Sequence, residues 1–210
     1  MKHLFYLVTL SYLCLAGCEK KKEATSAVAT DSVAVDTVQA ADNFINKDSA
    51  AGSIYVKYAH AYNNFIIDNQ GYIIEKNIHF AKALEGTDTN KELSEAYKAL
   101  TEQTQQSIDS LEKLGSFNGN VEFKDAAINL FKFYQEAWSE YKGLIDLKTK
   151  EEKIKAYTKV KTKFNEVHSK KEKELEDKFF QAHTTFSNEY MLHVRNTPLH
   201  EKLDSMLYLK

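Results

Sequence analysis

The chain has 210 residues, with 28 Lys+Arg against 30 Asp+Glu and a formal net charge of −2. That length supports one medium domain, and a near-neutral balance with Arg195 as the single arginine argues against nucleic acid as the main partner. Cys14 and Cys18 are the only cysteines, which excludes a disulfide framework and a cysteine-based zinc site.

At the N-terminus, Lys2 precedes an apolar run from Leu4 to Leu15 that is interrupted by Thr9, Ser11 and Tyr12. As a helix the run covers about 18 Å, short of the roughly 30 Å hydrocarbon core of a bilayer. It fits the hydrophobic region of a secretory signal, followed by small residues at the cleavage point. Those residues, Leu15-Ala16-Gly17-Cys18, resemble the lipobox of bacterial lipoproteins. The resemblance implies a signal peptide over 1–17, cleavage before Cys18, lipid attachment at the Cys18 thiol and acylation of the new amino terminus. Three acyl chains exceed the two signals that stable anchoring takes, so the expected protein is tethered to a membrane and does not span it. Glu19 stands where many lipoproteins carry an Asp that retains them at an inner membrane, which points to the outer membrane of a two-membrane bacterium.

Residues 18–52 read as the lipidated cysteine and a flexible linker. Lys20-Lys21-Lys22 is followed by Ala, Thr, Ser, Val and Asp, with Phe44 the only aromatic side chain. Such a segment buries too little apolar surface to offset its ordering entropy. As a coil of some 33 residues it reaches roughly 30 Å. Its three lysines read as solvated, with anionic headgroups as the alternative partner.

Residues 53–210 read as a helical domain. In the first segment, Tyr55, Tyr62, Ile66, Asn69, Ile73, Phe80 and Leu84 recur at helical spacing. Phe65-Ile66-Ile67 and Tyr72-Ile73-Ile74 around Asp68-Asn69-Gln70-Gly71 also allow a strand-turn-strand hairpin over 62–76. The spacing favours a helix, although Gly71 inside one costs about 1 kcal/mol relative to Ala. A second helix carries Leu93, Tyr97, Leu100, Thr104, Ile108, Leu111 and Leu114 on one face, with a Thr89/Glu92 capping box and Gly115 at a left-handed stop. After the turn-rich Phe117-Asn118-Gly119-Asn120, a third helix runs from Phe123 to Ile145. A fourth spans about 151–194, with Ile154, Tyr157, Phe164, Val167, Phe179 and Phe186 on its stripe and Pro198 marking its stop. Leu199 to Leu209 forms a short helical tail. The expected fold is all-α, an antiparallel four-helix bundle with one long C-terminal helix, preceded by a signal peptide and a disordered stalk.

Charge is uneven along this domain. Glu85 to Glu112 holds seven acids and two lysines, and Lys148 to Lys163 holds seven lysines and two glutamates. These read as solvated faces, adjacent in space, or as a basic corner for an anionic polymer or headgroup.

The motif search excludes several chemistries. A carboxylate-bridged di-iron bundle needs Glu three residues before His on each of two helices. The residues three before His60, His79, His168, His183, His193 and His200 are Lys57, Lys76, Asn165, Phe180, Tyr190 and Thr197. Glu75/His79, His168/Glu172 and Glu189/His193 share helical faces and read as ion pairs. No His-Glu-x-x-His motif, phosphate loop or nucleophile elbow is present. No catalytic residue, metal ligand or cofactor is therefore assigned, and the chain reads as non-enzymatic. Asn69, with His60, Asn63, Asn64 and Gln70 near it in sequence, fixes helix register or lines a small polar pocket. Phe131, Phe133, Tyr134, Trp138 and Tyr141 read as core, with Phe133 off the stripe and able to form an exposed aromatic patch.

Tyr62-Asn63-Asn64-Phe65-Ile66, Phe117-Asn118-Gly119-Asn120 and Phe123-Lys124-Asp125-Ala126-Ala127 through Phe133-Tyr134 together resemble a family of uncharacterised surface lipoproteins of spirochaete and Bacteroidetes type. The resemblance covers roughly residues 50–195. It implies a lipidated, all-helical envelope protein and transfers no catalytic residue. The expected role is a lipid-anchored binding or structural module at the outer membrane, its partner an envelope or extracellular macromolecule. The alternative is a periplasmic carrier of a small ligand or metal.

Overall fold

The computed structural model describes residues 49–86, 90–192 and 198–208. The expected signal peptide, Cys18, residues 18–48 of the expected linker, Thr89 of the expected capping box and His193 lie outside those residues, while residues 49–52, expected in the linker, belong to the first helix. Five α-helices are described: α1 (Ser49–Gly86), α2 (Asn90–Lys113), α3 (Glu122–Ser139), α4 (Lys150–Glu189) and α5 (Pro198–Tyr208), with a 3-10 turn at Lys142–Leu144. The fold is all-α.

Short links force consecutive helices to run antiparallel, and side-chain pairs along them fix the registers. The Ser107 hydroxyl of α2 donates to the Asn69 carbonyl of α1 at 3.2 Å, while Phe80 lies 6.0 Å from Tyr97 between ring centroids. Phe123 faces Phe179 at 5.6 Å, Phe133 faces Phe164 at 5.6 Å and Tyr141 faces Tyr157 at 5.3 Å, so α3 and α4 also run in opposite directions. α2 packs on α1 and α3, and α4 packs on α3 and α1, which sets α2 and α4 on a diagonal.

The core is aromatic at both ends. Tyr62, Phe117, Phe186 and Tyr190 stack at one end with centroids 4.6–5.6 Å apart. Phe80, Trp138, Tyr141 and Tyr157 close the other. Offset and edge-on rings add about 1 kcal/mol per pair beyond their buried area.

Residues 62–76 are one continuous helix, so the hairpin alternative falls. The reason for Gly71 lies in α5. A Cβ at Gly71 would come within 2.7 Å of Leu199 Cδ2, so the missing side chain lets the tail helix close on α1. There Ile74, Ile78 and Leu203 form a second, small core, with Leu199 and Met206 against it. Lys202 Nζ seals the contact by donating to Glu75 Oε1 at 3.0 Å.

The helix ends depart from expectation in physically readable ways. α4 begins with a complete capping box: the Thr149 hydroxyl accepts from the Glu152 N–H at 3.2 Å, and the Glu152 carboxylate accepts from the Thr149 N–H at 3.0 Å. It ends at Glu189, well before Pro198, through Met191 at φ 51°, with Leu192 N–H donating to the Ser187 carbonyl at 2.8 Å. That pattern closes a helix with a residue in the left-handed region. Gly115 does not take this role for α2. Positive φ falls instead at Asn118 and Gly119, where Phe117 and Asn120 exchange backbone hydrogen bonds across a two-residue turn. Lys124 Nζ donates to the Leu114 carbonyl at 3.0 Å, and so α3 caps the end of α2. α3 stops at Ser139, not Ile145, and its apolar stripe continues through the 3-10 turn as buried Tyr141 and Leu144.

Candidate functional site

The structure separates the sequence candidates into core and surface. Asn69 is 7% exposed and its side-chain amide donates to the Phe65 carbonyl at 2.8 Å, one turn back on its own helix. It therefore satisfies its amide locally, within α1. Asn63 is buried beside it in sequence, donating to Asn64 at 3.3 Å. Phe133 is 3% exposed, so the aromatic-patch alternative also falls. Its ring packs between Phe164 and His168, and Lys171 Nζ sits 5.4 Å from its centroid.

Of the three acid–histidine pairs, Glu75/His79 forms at 3.7 Å. Burial pushes the Glu75 pKa up, but the hydrogen bond and charge of Lys202, with Lys76 and His79, outweigh it and hold the carboxyl below its usual range. His168 does not pair with Glu172; its ring stacks 4.8 Å from Phe164. Glu189 accepts from the Asn120 amide at 3.5 Å, and its expected partner His193 lies outside the described residues.

A polar seam between α3 and α4 brings together residues that no motif marked. Tyr134 Oη donates to Glu176 Oε1 at 3.3 Å. One turn earlier on α4, burial and the Glu176 charge push Glu172 up to about 7. Trp138 Nε1 on α3 and Tyr141 Oη just after it are buried without a hydrogen-bond partner among the described residues. Burial raises the Tyr141 pKa first, and Glu172 adds to it, which places the two groups within electrostatic reach. The i, i+4 spacing of Glu172 and Glu176 beside inward-facing Leu175 is the signal that could have exposed this seam.

The second region is the outer face of α4. Its buried side chains are Lys153, Tyr157, Phe164, Phe179, His183, Phe186 and Ser187, so the expected stripe is rotated at its start. Ile154 and Val167, placed on that stripe from sequence, are 36% and 64% exposed. Lys153 takes the inner position, fully buried, its Nζ without a hydrogen-bond partner among the described residues. Lys155, Lys159 and Lys163 line the outer face with Thr158, Thr162 and Glu166, around a shallow trough. A cavity of about 160 Å³ opens beside it, lined by Glu140, Lys163, Phe164, Val167 and His168. The acidic face of α2 is not adjacent to this ridge, because the two helices are diagonal.

Among the described residues, no group of three or more His, Cys, Asp or Glu side chains is placed to hold a metal ion, and no helix is long and apolar enough to cross a membrane. No protein-family model, curated protein or solved structure matches the chain. The lipoprotein resemblance therefore rests on the sequence motifs alone.

Proposed function

We propose that the chain is a non-enzymatic, lipid-anchored protein of the cell envelope, held through Cys18 at the outer membrane, with the helical bundle as its binding module. The observation that carries this reading is the order of Lys2, the apolar run to Leu15 and Leu15-Ala16-Gly17-Cys18, ahead of a helical core whose first buried residue among those described is Ala59. The linker gives the bundle room to engage an envelope or extracellular macromolecule. Metabolic labelling with a palmitate analogue tests the anchor. Label on the wild type that disappears in Cys18→Ser supports it, and equal labelling of the two proteins removes it.

A second reading, a periplasmic carrier of a small ligand, is favoured by the Glu172/Glu176 seam with the unpartnered Trp138 and Tyr141 donors. Native mass spectrometry of protein purified from its own cells separates the readings: a stoichiometric added mass favours the carrier, and a bare chain favours the binding module.

A further inference from the structure

We propose that the lysine ridge at the start of α4 lays the bundle against the anionic face of a lipid bilayer, the membrane that holds the Cys18 anchor. The inference rests on the anchor reading only for which membrane is within reach.

Lys155, Lys159 and Lys163 are exposed and recur every four residues, about 6 Å apart along one line of the helix. None has a carboxylate within 4.0 Å among the described residues. On the other helices Lys91, Lys98, Lys132 and Lys202 each sit within 4.0 Å of a Glu, while Lys57, Lys76, Lys82 and Lys113 stand singly and form no such row. Between Lys148 and Lys171 the chain holds nine lysines and three glutamates. Of those glutamates, Glu152 is engaged in the helix cap, and Glu166 is the carboxylate in the trough.

Charge complementarity gives the contact a direction. The chain as a whole carries −2, so attraction to an anionic surface belongs to this face and not to the net charge. α2, diagonal to the ridge, holds five acids and three lysines, and an anionic surface repels that side. Screening over about 8 Å at physiological salt confines both effects to the side chains nearest the surface. Exposed Val167, one turn beyond Lys163, adds an apolar side chain that can seat among headgroups.

The chain outside the described helices fits the same arrangement. Thirty residues, 19–48, separate Cys18 from α1, a covalent length of at most about 100 Å. That reach lets the bundle lie on its side with α4 down. An inclined ridge of cations on one side of a helix, tethered to a bilayer by the same chain, meets the bilayer before a free polymer.

The test uses residues 19–210, without the anchor. Among the described residues, every buried member of both cores lies between Ala59 and Leu203, so this chain contains all of them. Co-sedimentation with mixed phosphatidylglycerol–phosphatidylcholine vesicles should show binding that salt weakens, and pure phosphatidylcholine vesicles should show none. Lys155→Glu/Lys159→Glu/Lys163→Glu should lower the affinity roughly a hundredfold, since each lysine near an anionic surface contributes about fivefold. Lys91→Glu/Lys98→Glu/Lys113→Glu changes net charge equally on exposed positions of α2 and should stay within about twofold. Thermal melts establish that both variants fold. Equal binding to the two vesicle types, or equal loss in the two variants, overturns the proposal. Retention on long-chain polyphosphate without vesicle binding also overturns it, and assigns the ridge to a polymer. Failure of the Cys18 label with vesicle binding intact removes the anchor and leaves the ridge standing.

Discussion

The two halves of α4 use the same residue types for different ends. In the C-terminal half, Lys173 pairs with Asp177 at 3.4 Å and Lys178 with Glu174 at 2.8 Å, each one turn away. Beneath those pairs Phe179, His183 and Phe186 enter the aromatic core against Phe123. In the N-terminal half, Lys155, Lys159 and Lys163 stand in line with no such partners, and two apolar side chains, Ile154 and Val167, face outward. Exposed i, i+4 pairs contribute only about 0.3–0.5 kcal/mol each, so fold stability does not explain the contrast. The C-terminal half pairs Lys173 and Lys178 within the chain, and the N-terminal half leaves its three ridge lysines available to something outside it.

Mutations sharpen that contrast. The largest effect is expected where α4 meets the core: Phe186→Ala should cost about 3–5 kcal/mol in urea melts, because Phe186 is 1% exposed and contacts four other rings. Val167→Ala should stay within about 0.5 kcal/mol, since its side chain faces solvent. Comparable losses at both sites would mean that the two halves do not differ. Leu111→Asp, in the diagonal helix, should cost at least about 3 kcal/mol by burying an unpaired carboxylate.

The middle of α4 should respond to pH. Glu172 is raised in the folded state to about 7 by burial and by Glu176. A carboxyl with a raised folded pKa binds its proton more tightly in the native than in the unfolded chain. Stability from this group is thus full below about pH 4.5 and is lost as pH rises to about 7. With solvent screening that amounts to about 1–2 kcal/mol. Glu172→Gln should therefore melt higher than wild type at alkaline pH and equally at acidic pH. Parallel pH profiles for the two proteins would contradict the assignment. A smaller gain is expected at the end of the helix. Met191→Gly should stabilise by about 1 kcal/mol, because a non-glycine side chain there sits at φ 51°.

Much of the fold was legible because helical periodicity is strong over long segments. The stripe on α2 and the aromatic positions of α3 follow directly from three- and four-residue spacing. The phase of α4 was harder: over 40 residues, a seven-residue reading drifts about 20° per heptad against the true helix. That drift puts Ile154 and Val167 inside on paper and outside in the structure. The Thr149-x-x-Glu152 cap was readable from its spacing, although the helix was expected to begin at about Glu151. Gly71 was not readable, because its cause is Leu199, far along the chain. The same holds for the Tyr134–Glu176 seam, where α3 and α4 meet. Met191 carries no sequence signal, since glycine is the usual residue in a left-handed cap.

The most direct measurement places a fluorophore on each side of the bundle. Cys14 and Cys18 are the only cysteines, so in the proposed form, cut before an acylated Cys18, Thr162→Cys on the ridge and Gln106→Cys on α2 can be labelled singly. The lipidated protein is then reconstituted into phosphatidylglycerol-containing vesicles with a headgroup quencher. The expected result is strong quenching at residue 162 and little at residue 106. Equal quenching at the two positions, or the reverse order, would contradict a bundle tethered by its lipid and lying on α4.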